Sequence, residues 1–255
     1  GLSNYEMGEM MLALGCVNAV NGDGGGSSTF VTRREGEDTH TMRSIPSDGS
    51  ERPTINSIIV VSSAMPTGVF DHSVISADYD FFAAKSTYTF TAQGIDTAGY
   101  EMDIPADVTW ALSDASFGSV ENGTFVSNGT LGAVDVQMVY NDTVVGTKTI
   151  NVVNPDVFGF AQESTVIPYG KKVEMAVTAT YGSDGTAVYL GDQFTLVLSD
   201  TTAATLDGNM LTATTDETKA GVKVTATYLP DPALTSVLTV SFGKGSEILY
   251  DFEDG

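Results

Sequence analysis

Ala133-Val134-Asp135-Val136-Gln137-Met138-Val139-Tyr140 sets Val134, Val136, Met138 and Tyr140 on alternate positions, with Asp135 and Gln137 between them. Successive side chains of a strand point to opposite faces, so this run reads as a strand with one face buried. It returns as Gly221-Val222-Lys223-Val224-Thr225-Ala226-Thr227-Tyr228, 88 residues on. Upstream of it, Leu112-Ser113-Asp114 returns as Leu198-Ser199-Asp200, and Val120-Glu121-Asn122-Gly123-Thr124-Phe125 as Leu206-Asp207-Gly208-Asn209-Met210-Leu211, both 86 residues on. The change of offset implies a small loop insertion in the second copy. From about Met65 onward Thr, Val, Ser, Ala, Gly and Asp dominate, in short alternating runs such as Ser86-Thr87-Tyr88-Thr89-Phe90-Thr91-Ala92. A repeat of that length is one β-sandwich.

The repeats resemble bacterial immunoglobulin (Ig)-like domains of the group-2 type. Trp110-Ala111-Leu112-Ser113 and Phe125-Val126-Ser127 carry the resemblance in the first copy. Leu211-Thr212-Ala213 and Val222-Lys223-Val224-Thr225-Ala226 carry it in the second, where Leu196 occupies the tryptophan position. The expected fold is mainly β: two Ig-like β-sandwiches, residues 65–154 and 155–243, preceded by an α+β segment, residues 1–64. Trp110 is expected in the first core rather than as a sugar-stacking platform. Ile248-Leu249-Tyr250-Asp251-Phe252-Glu253 resembles the first strand of jelly-roll carbohydrate-binding domains, so residues 244–255 read as the start of a further domain.

In the N-terminal segment, Ser3 and Glu6 form a Ser-x-x-Glu capping box. Met7, Met10, Met11 and Leu14 follow at helical spacing, and Gly15 supplies the stop. The methionines read as core filler. Next comes Asn21-Gly22-Asp23-Gly24-Gly25-Gly26-Ser27-Ser28-Thr29, between the apolar runs Cys16–Val20 and Thr29–Thr32, which read as strands. Consecutive glycines let a backbone approach a ligand closely, and their N–H groups can form an anion nest. Asp23, Ser27, Ser28 and Thr29 would surround it; the competing reading is a glycine hairpin with no ligand. All four arginines, Arg33, Arg34, Arg43 and Arg52, follow within a few dozen residues, whereas every later basic residue is lysine. The planar guanidinium fork suits phosphate or carboxylate, so the clustering points to an anion site.

Leu14–Val31 resembles the closing segment of phosphodiester glycosidase domains, in which a helix leads to a version of N-x-D-G-G-G-S-S-T. Gly22 departs from that pattern, which commonly has an apolar residue there. A second landmark of the family, R-P-S-D-G-x-E-R-P-V-x-N-A-L-x-V, is matched by Arg43-Ser44-Ile45-Pro46-Ser47-Asp48-Gly49-Ser50-Glu51-Arg52-Pro53-Thr54-Ile55-Asn56-Ser57-Ile58-Ile59-Val60-Val61. The resemblance covers about residues 1–62 and implies hydrolysis of sugar phosphodiesters or related cell-wall polymers. It implies that the Gly24–Gly26 backbone, with Ser27, Ser28 and Thr29, holds the phosphate or departing oxygen, that Asp23 is an acid/base or metal-binding carboxylate, and that Arg52 is a charge clamp. So small a segment reads as a fragment of its domain, inactive alone and completed by a missing upstream catalytic region. The rival expectation is a non-catalytic adhesive or spacer protein.

The chain of 255 residues carries 33 acidic against 11 basic residues, a net charge of −22. That balance argues against nucleic acid or anionic membrane as partners and suits a secreted, cell-surface protein; the glycan or sugar-phosphate partner is what the glycosidase resemblance implies. No apolar run approaches the length of a membrane span. Cys16, the single cysteine, reads as a buried inert thiol. Two histidines in separate domains make no zinc set. The residues require no cofactor: Asn21 and Asp23, or Asp78 and Asp80, could offer oxygen ligands to calcium, but they read as solvated acidic loops.

Overall fold

The computed structural model describes residues 3–19, 28–34, 37, 39–50, 52–53, 59 and 63–243. Packing divides the chain into two units, Gly1–Val69 with Ile95–Met102, and Phe70–Gly94 with Asp103–Gly255. In the first unit a helix, α1 (Asn4–Ala13), starts at the expected cap: the Ser3 hydroxyl accepts from Glu6 N–H while the Glu6 carboxylate accepts from Ser3 N–H at 2.7 Å. It ends at Leu14, with Gly15 at φ +80°, a conformation that costs a residue without Cβ nothing. The expected strand from Cys16 is not there. Cys16–Ala19 is irregular chain; Cys16 is half-buried and Val17 is 92% exposed. Two short strands of this unit, β1 (Val31–Thr32) and β2 (Thr41–Met42), pair antiparallel.

The first repeat contributes β3 (Phe70–Ser76), β4 (Phe81–Ala83), β5 (Thr87–Thr89), β6 (Thr91–Asp96), β7 (Glu101–Met102), β8 (Thr109–Leu112), β9 (Gly118–Glu121), β10 (Thr124–Ser127), β11 (Gly132–Tyr140) and β12 (Thr143–Val153). The alternating run Ser86–Ala92 is not one strand. It breaks at Phe90, where β5 leaves for a sheet with β10 and β9 while β6 joins β3 and β7. Phe90 is the last residue held to the β10 side: its side chain is 3% exposed and its N–H goes to Gly123 O at 2.8 Å, one position beyond the Thr89–Thr124 pair. The core gathers Phe82, Phe90, Phe125, Val134, Val136, Met138, Ile150 and Val152, with Trp110 packed half-buried against it.

The second repeat contributes β13 (Val157–Phe160), β14 (Ser164–Pro168), β15 (Lys172–Glu174), β16 (Val177–Tyr181), β17 (Thr186–Tyr189), β18 (Phe194–Leu198), β19 (Ala204–Asp207), β20 (Met210–Ala213), β21 (Gly221–Tyr228) and β22 (Thr235–Gly243). Strand for strand it repeats the first. The order β5-β10-β9 returns as β15-β20-β19, and β4-β12-β11-β8 returns as β14-β22-β21-β18. The repeat extends to single hydrogen bonds. Ser113 Oγ accepts from Asp135 N–H and Ser199 Oγ from Lys223 N–H, both at 3.0 Å. Asp114 and Asp200 each accept, at 2.8 Å, from the N–H two residues on. Leu196 faces Ala226 across the ladder as Trp110 faces Met138, so a smaller pair stands at that level of the second repeat.

The two repeats are joined by more than a linker. β17 pairs in parallel with β4, Val188 beside Phe81 and Tyr189 beside Phe82. One seven-stranded sheet therefore runs β13-β16-β17-β4-β12-β11-β8 through both. A separate cluster of Ala83, Val153, Phe158, Ala179, Val188, Leu190, Ala226 and Tyr228 fills the seam. Tyr228 is fully buried there, and burial pushes its phenol up to about 12.

Candidate functional site

The two motifs of the N-terminal segment meet. Phe30 lies next to the end of the first and Arg43-Ser44 opens the second; Arg43 N–H donates to Phe30 O at 2.7 Å and Phe30 N–H to Ser44 Oγ at 2.8 Å. These bonds extend the β1–β2 ladder by one position, so the strand leaving the glycine loop is held against the start of the arginine motif. Of the predicted site, Asp23, Gly24, Gly25, Gly26 and Ser27 lie outside the described residues, as does Asn21. Ser28 and Thr29 are irregular chain immediately before β1. Arg52 makes an ion pair with Asp48 on the preceding turn and is 58% exposed.

The other arginines are held by groups that the sequence did not single out. Glu37 accepts from Arg34 N–H at 3.0 Å and from the Arg43 guanidinium. Those two bonds hold its carboxyl below the ordinary carboxylate range. Arg33 lies over the Tyr100 ring, 4.4 Å from its centroid. Tyr100 in turn donates its hydroxyl to Ala64 O at 3.0 Å. Beside it, Asp96 is 2% exposed and accepts from the N–H groups of Thr67, Gly68, Ala98 and Tyr100. Burial works against its charge, but those four donors outweigh burial and keep the carboxyl well below its usual range. The Asp-Thr-Ala-Gly turn after a strand is the signal that could have found Asp96, since Asp accepts from the N–H two residues on in such turns.

Helix α1 buries none of its residues. Tyr5, Leu12 and Leu14 are each at least 70% exposed. Tyr5, Met11, Leu12, Cys16 and Val17 line an open groove of about 520 Å³. The expectation that the methionines fill a core therefore has no core to meet among the described residues: Met10 is 51% exposed. A well-capped helix with an apolar, uncovered surface is built to pack against something.

Residues 1–61 match the phosphodiester glycosidase family. The match spans both motifs joined by the Phe30–Arg43 bonds. No curated protein matches the chain. Among solved structures, domains 4 and 5 of the S-layer protein SbsC are similar at 15% identity and a TM-score of 0.29, covering 68% of this chain and 98% of that one. The Escherichia coli adhesin FdeC gives 18% identity and a TM-score of 0.28, covering 73% and 67%. Invasin, a bacterial integrin-binding protein, gives 13% identity and a TM-score of 0.28, covering 80% and 44%.

Outside the glycosidase-like segment, the candidate calcium carboxylates have protein partners: Asp80 accepts from Lys148 Nζ at 2.5 Å and the Asp78 carboxylate from the Tyr88 hydroxyl at 3.5 Å. Among the described residues no three His, Cys, Asp or Glu side chains are grouped to hold a metal ion. No helix among them is long and apolar enough to cross a membrane.

Proposed function

We propose that residues 1–64 are the ligand-facing end of a phosphodiester glycosidase domain in a secreted, multidomain protein, and that the two sandwiches carry that domain as spacers. The observation that carries this reading is the meeting of the two glycosidase motifs at Phe30 and Arg43-Ser44. In this scheme the Gly24–Gly26 N–H groups face the phosphate or departing oxygen of a sugar phosphodiester, Ser27, Ser28 and Thr29 flank it, and Asp23 moves the proton. Arg52 exchanges Asp48 for the phosphate, a small change because the Asp48 pair is largely solvated. The uncovered side of α1 receives the remainder of the domain. One glycine loop, one carboxylate and one arginine do not make a complete glycosidase site, so the chain alone is inactive.

A non-catalytic spacer reading has its own support in the continuous sheet through both repeats, which suits a rigid arm. The assay that separates the two uses an aryl sugar-1-phosphodiester, with this chain alone and with residues 1–64 joined to the rest of a glycosidase domain. Turnover by the completed domain, lost in Gly25→Val and reduced in Arg52→Lys at unchanged melting temperature, is the expected result. No turnover by the completed domain favours the spacer. Turnover by the chain alone that disappears in Asp23→Ala defeats the requirement for a completing partner.

A further inference from the structure

Two residues of the connection from β1 to β2, Arg34 and Glu37, meet Arg43 just past β2. Arg34 N–H donates to Glu37 Oε2 at 3.0 Å, and Arg43 Nη2 donates to the same oxygen. Glu37 N–H donates back to Arg34 O at 3.1 Å, so the carboxylate is tethered to the backbone that it bonds. Arg43 is the better buried partner, its side chain 20% exposed against 35% for Glu37. A guanidinium carries its donors in a rigid fork, with Nε–H and one Nη2 hydrogen side by side on one edge. Glu37 takes Nη2 and leaves the other half of that edge: Nε of Arg43 is buried and has no partner among the described residues. An anion that completes the edge needs two oxygens facing the same way. One takes the place of Oε2 between Arg34 N–H and Nη2, and the other accepts from Nε–H. The two non-bridging oxygens of a phosphodiester meet that requirement.

We propose that the Arg43 guanidinium and the Arg34 N–H form a phosphate subsite, and that Glu37 is its internal plug, displaced when a phosphodiester enters. The backbone of Arg43 bonds Phe30, so the fork is rooted beside the strand that leaves the glycine motif. The exchange is chemically conservative: one anionic oxygen replaces another on the same two donors, and a third donor, Nε–H, gains an acceptor. The released Glu37 side chain, already partly exposed, returns to water. Arg52 with Asp48 shows the same device, an arginine of the second motif held by a carboxylate of the same segment. A lysine at position 43 would keep the charge but could not hold two oxygens on one edge. The choice of ligand rests on reading residues 1–64 as the ligand-facing end of a phosphodiester glycosidase domain.

The test is nuclear magnetic resonance of the full, nitrogen-labelled chain titrated with sodium dimethyl phosphate. About 0.15 M sodium chloride screens the long-range repulsion of so acidic a protein. Arg43 Nε–H and Arg34 N–H are the reporters. Both should shift saturably with dimethyl phosphate and not with an equal addition of sodium chloride. Glu37→Gln keeps the shape of the plug and removes its charge. It should tighten binding by about tenfold to a hundredfold, the worth of the charge-assisted bonds it no longer competes for. Adding Arg43→Lys to that variant should abolish the response at Arg34. Equal affinity in the natural and Glu37→Gln chains, or a response that survives Arg43→Lys, overturns the subsite. Acetate binding as tightly as dimethyl phosphate overturns its ligand class. If Glu37→Gln does not fold, the natural chain decides, and the lack of a saturable shift at both reporters refutes the proposal. The readout is binding, so a completed domain without turnover defeats the glycosidase reading and leaves this result intact. Turnover without the phosphate response defeats the subsite alone.

Discussion

Leu211→Ala tests whether the two repeats stand or fall together. Leu211 is fully buried in β20, within the second repeat's own core of Ile167, Met175, Val224, Leu238 and Val240. Truncation removes its transfer energy and leaves a cavity in well-packed surroundings, a loss of about 3 kcal/mol. How that loss appears depends on the seam. If β4–β17 pairing and the Tyr228 cluster make both repeats one cooperative body of about 175 residues, each kcal/mol lowers the midpoint by about 2–4 °C, or about 6–12 °C in all. If the second repeat unfolds alone, the same loss gives about 12–24 °C, confined to that repeat. Trp110 is the only tryptophan and sits against the first repeat's core, so its fluorescence reports the repeat that was not mutated. Far-ultraviolet circular dichroism reports both. The expected result is coincident transitions by the two probes, both shifted by about 6–12 °C. A Trp110 transition that stays at its wild-type midpoint, while circular dichroism splits into two steps, would refute the coupling. Val188→Asp, which puts a charge into the seam, should produce that split in an otherwise normal chain.

Three further outcomes are expected. Gly123→Ala should destabilise the first repeat more than Gly208→Ala destabilises the second, in thermal melts: both glycines have positive φ, but a Cβ at Gly123 would sit 2.8 Å from Phe90 O, whereas at Gly208 it meets nothing within 4 Å. Stability should fall with acid below the ordinary aspartate range of about 4, because the depressed carboxyls of Asp96 and Asp200 contribute above their unfolded pKa and lose that contribution as pH falls towards their folded values. Asp96→Asn should flatten that slope, measured as melting temperature against pH; an unchanged slope would show that its four N–H donors do not set it. Removal of residues 1–64 should leave a cooperative transition and native Trp110 fluorescence, since the truncation costs the Ala64–Tyr100 bond and the Arg33–Tyr100 contact but keeps Asp96 on Thr67 and Gly68. Loss of both signals would mean that the N-terminal segment supports the sandwich cores.

Much of the mainly β architecture was legible in the chain, because its strands show one buried face and the pattern comes round twice. Val134, Val136 and Met138 announce β11 by alternation, and Val222, Val224 and Ala226 announce β21 the same way. The capping box of α1 and the Gly15 stop were equally legible, since a helix end is set by a few adjacent residues. The same local patterns misled where the outcome depends on a distant neighbour. Cys16–Ala19 has strand-like composition yet is irregular chain, and Ser86–Ala92 alternates evenly yet divides at Phe90 between two sheets. At the candidate site, the glycine and arginine motifs could be named from residue type and order, but not what holds the arginines. Glu37 reaches Arg43 across the β1–β2 turn, and Tyr100 reaches Arg33 from far along the chain. Only the tertiary structure decided that β17 of one repeat adds to β4 of the other, because edge strands carry unsatisfied backbone groups that any suitable edge can take up. Periodicity determines which face of a strand is buried, and it is silent on which edge finds a partner.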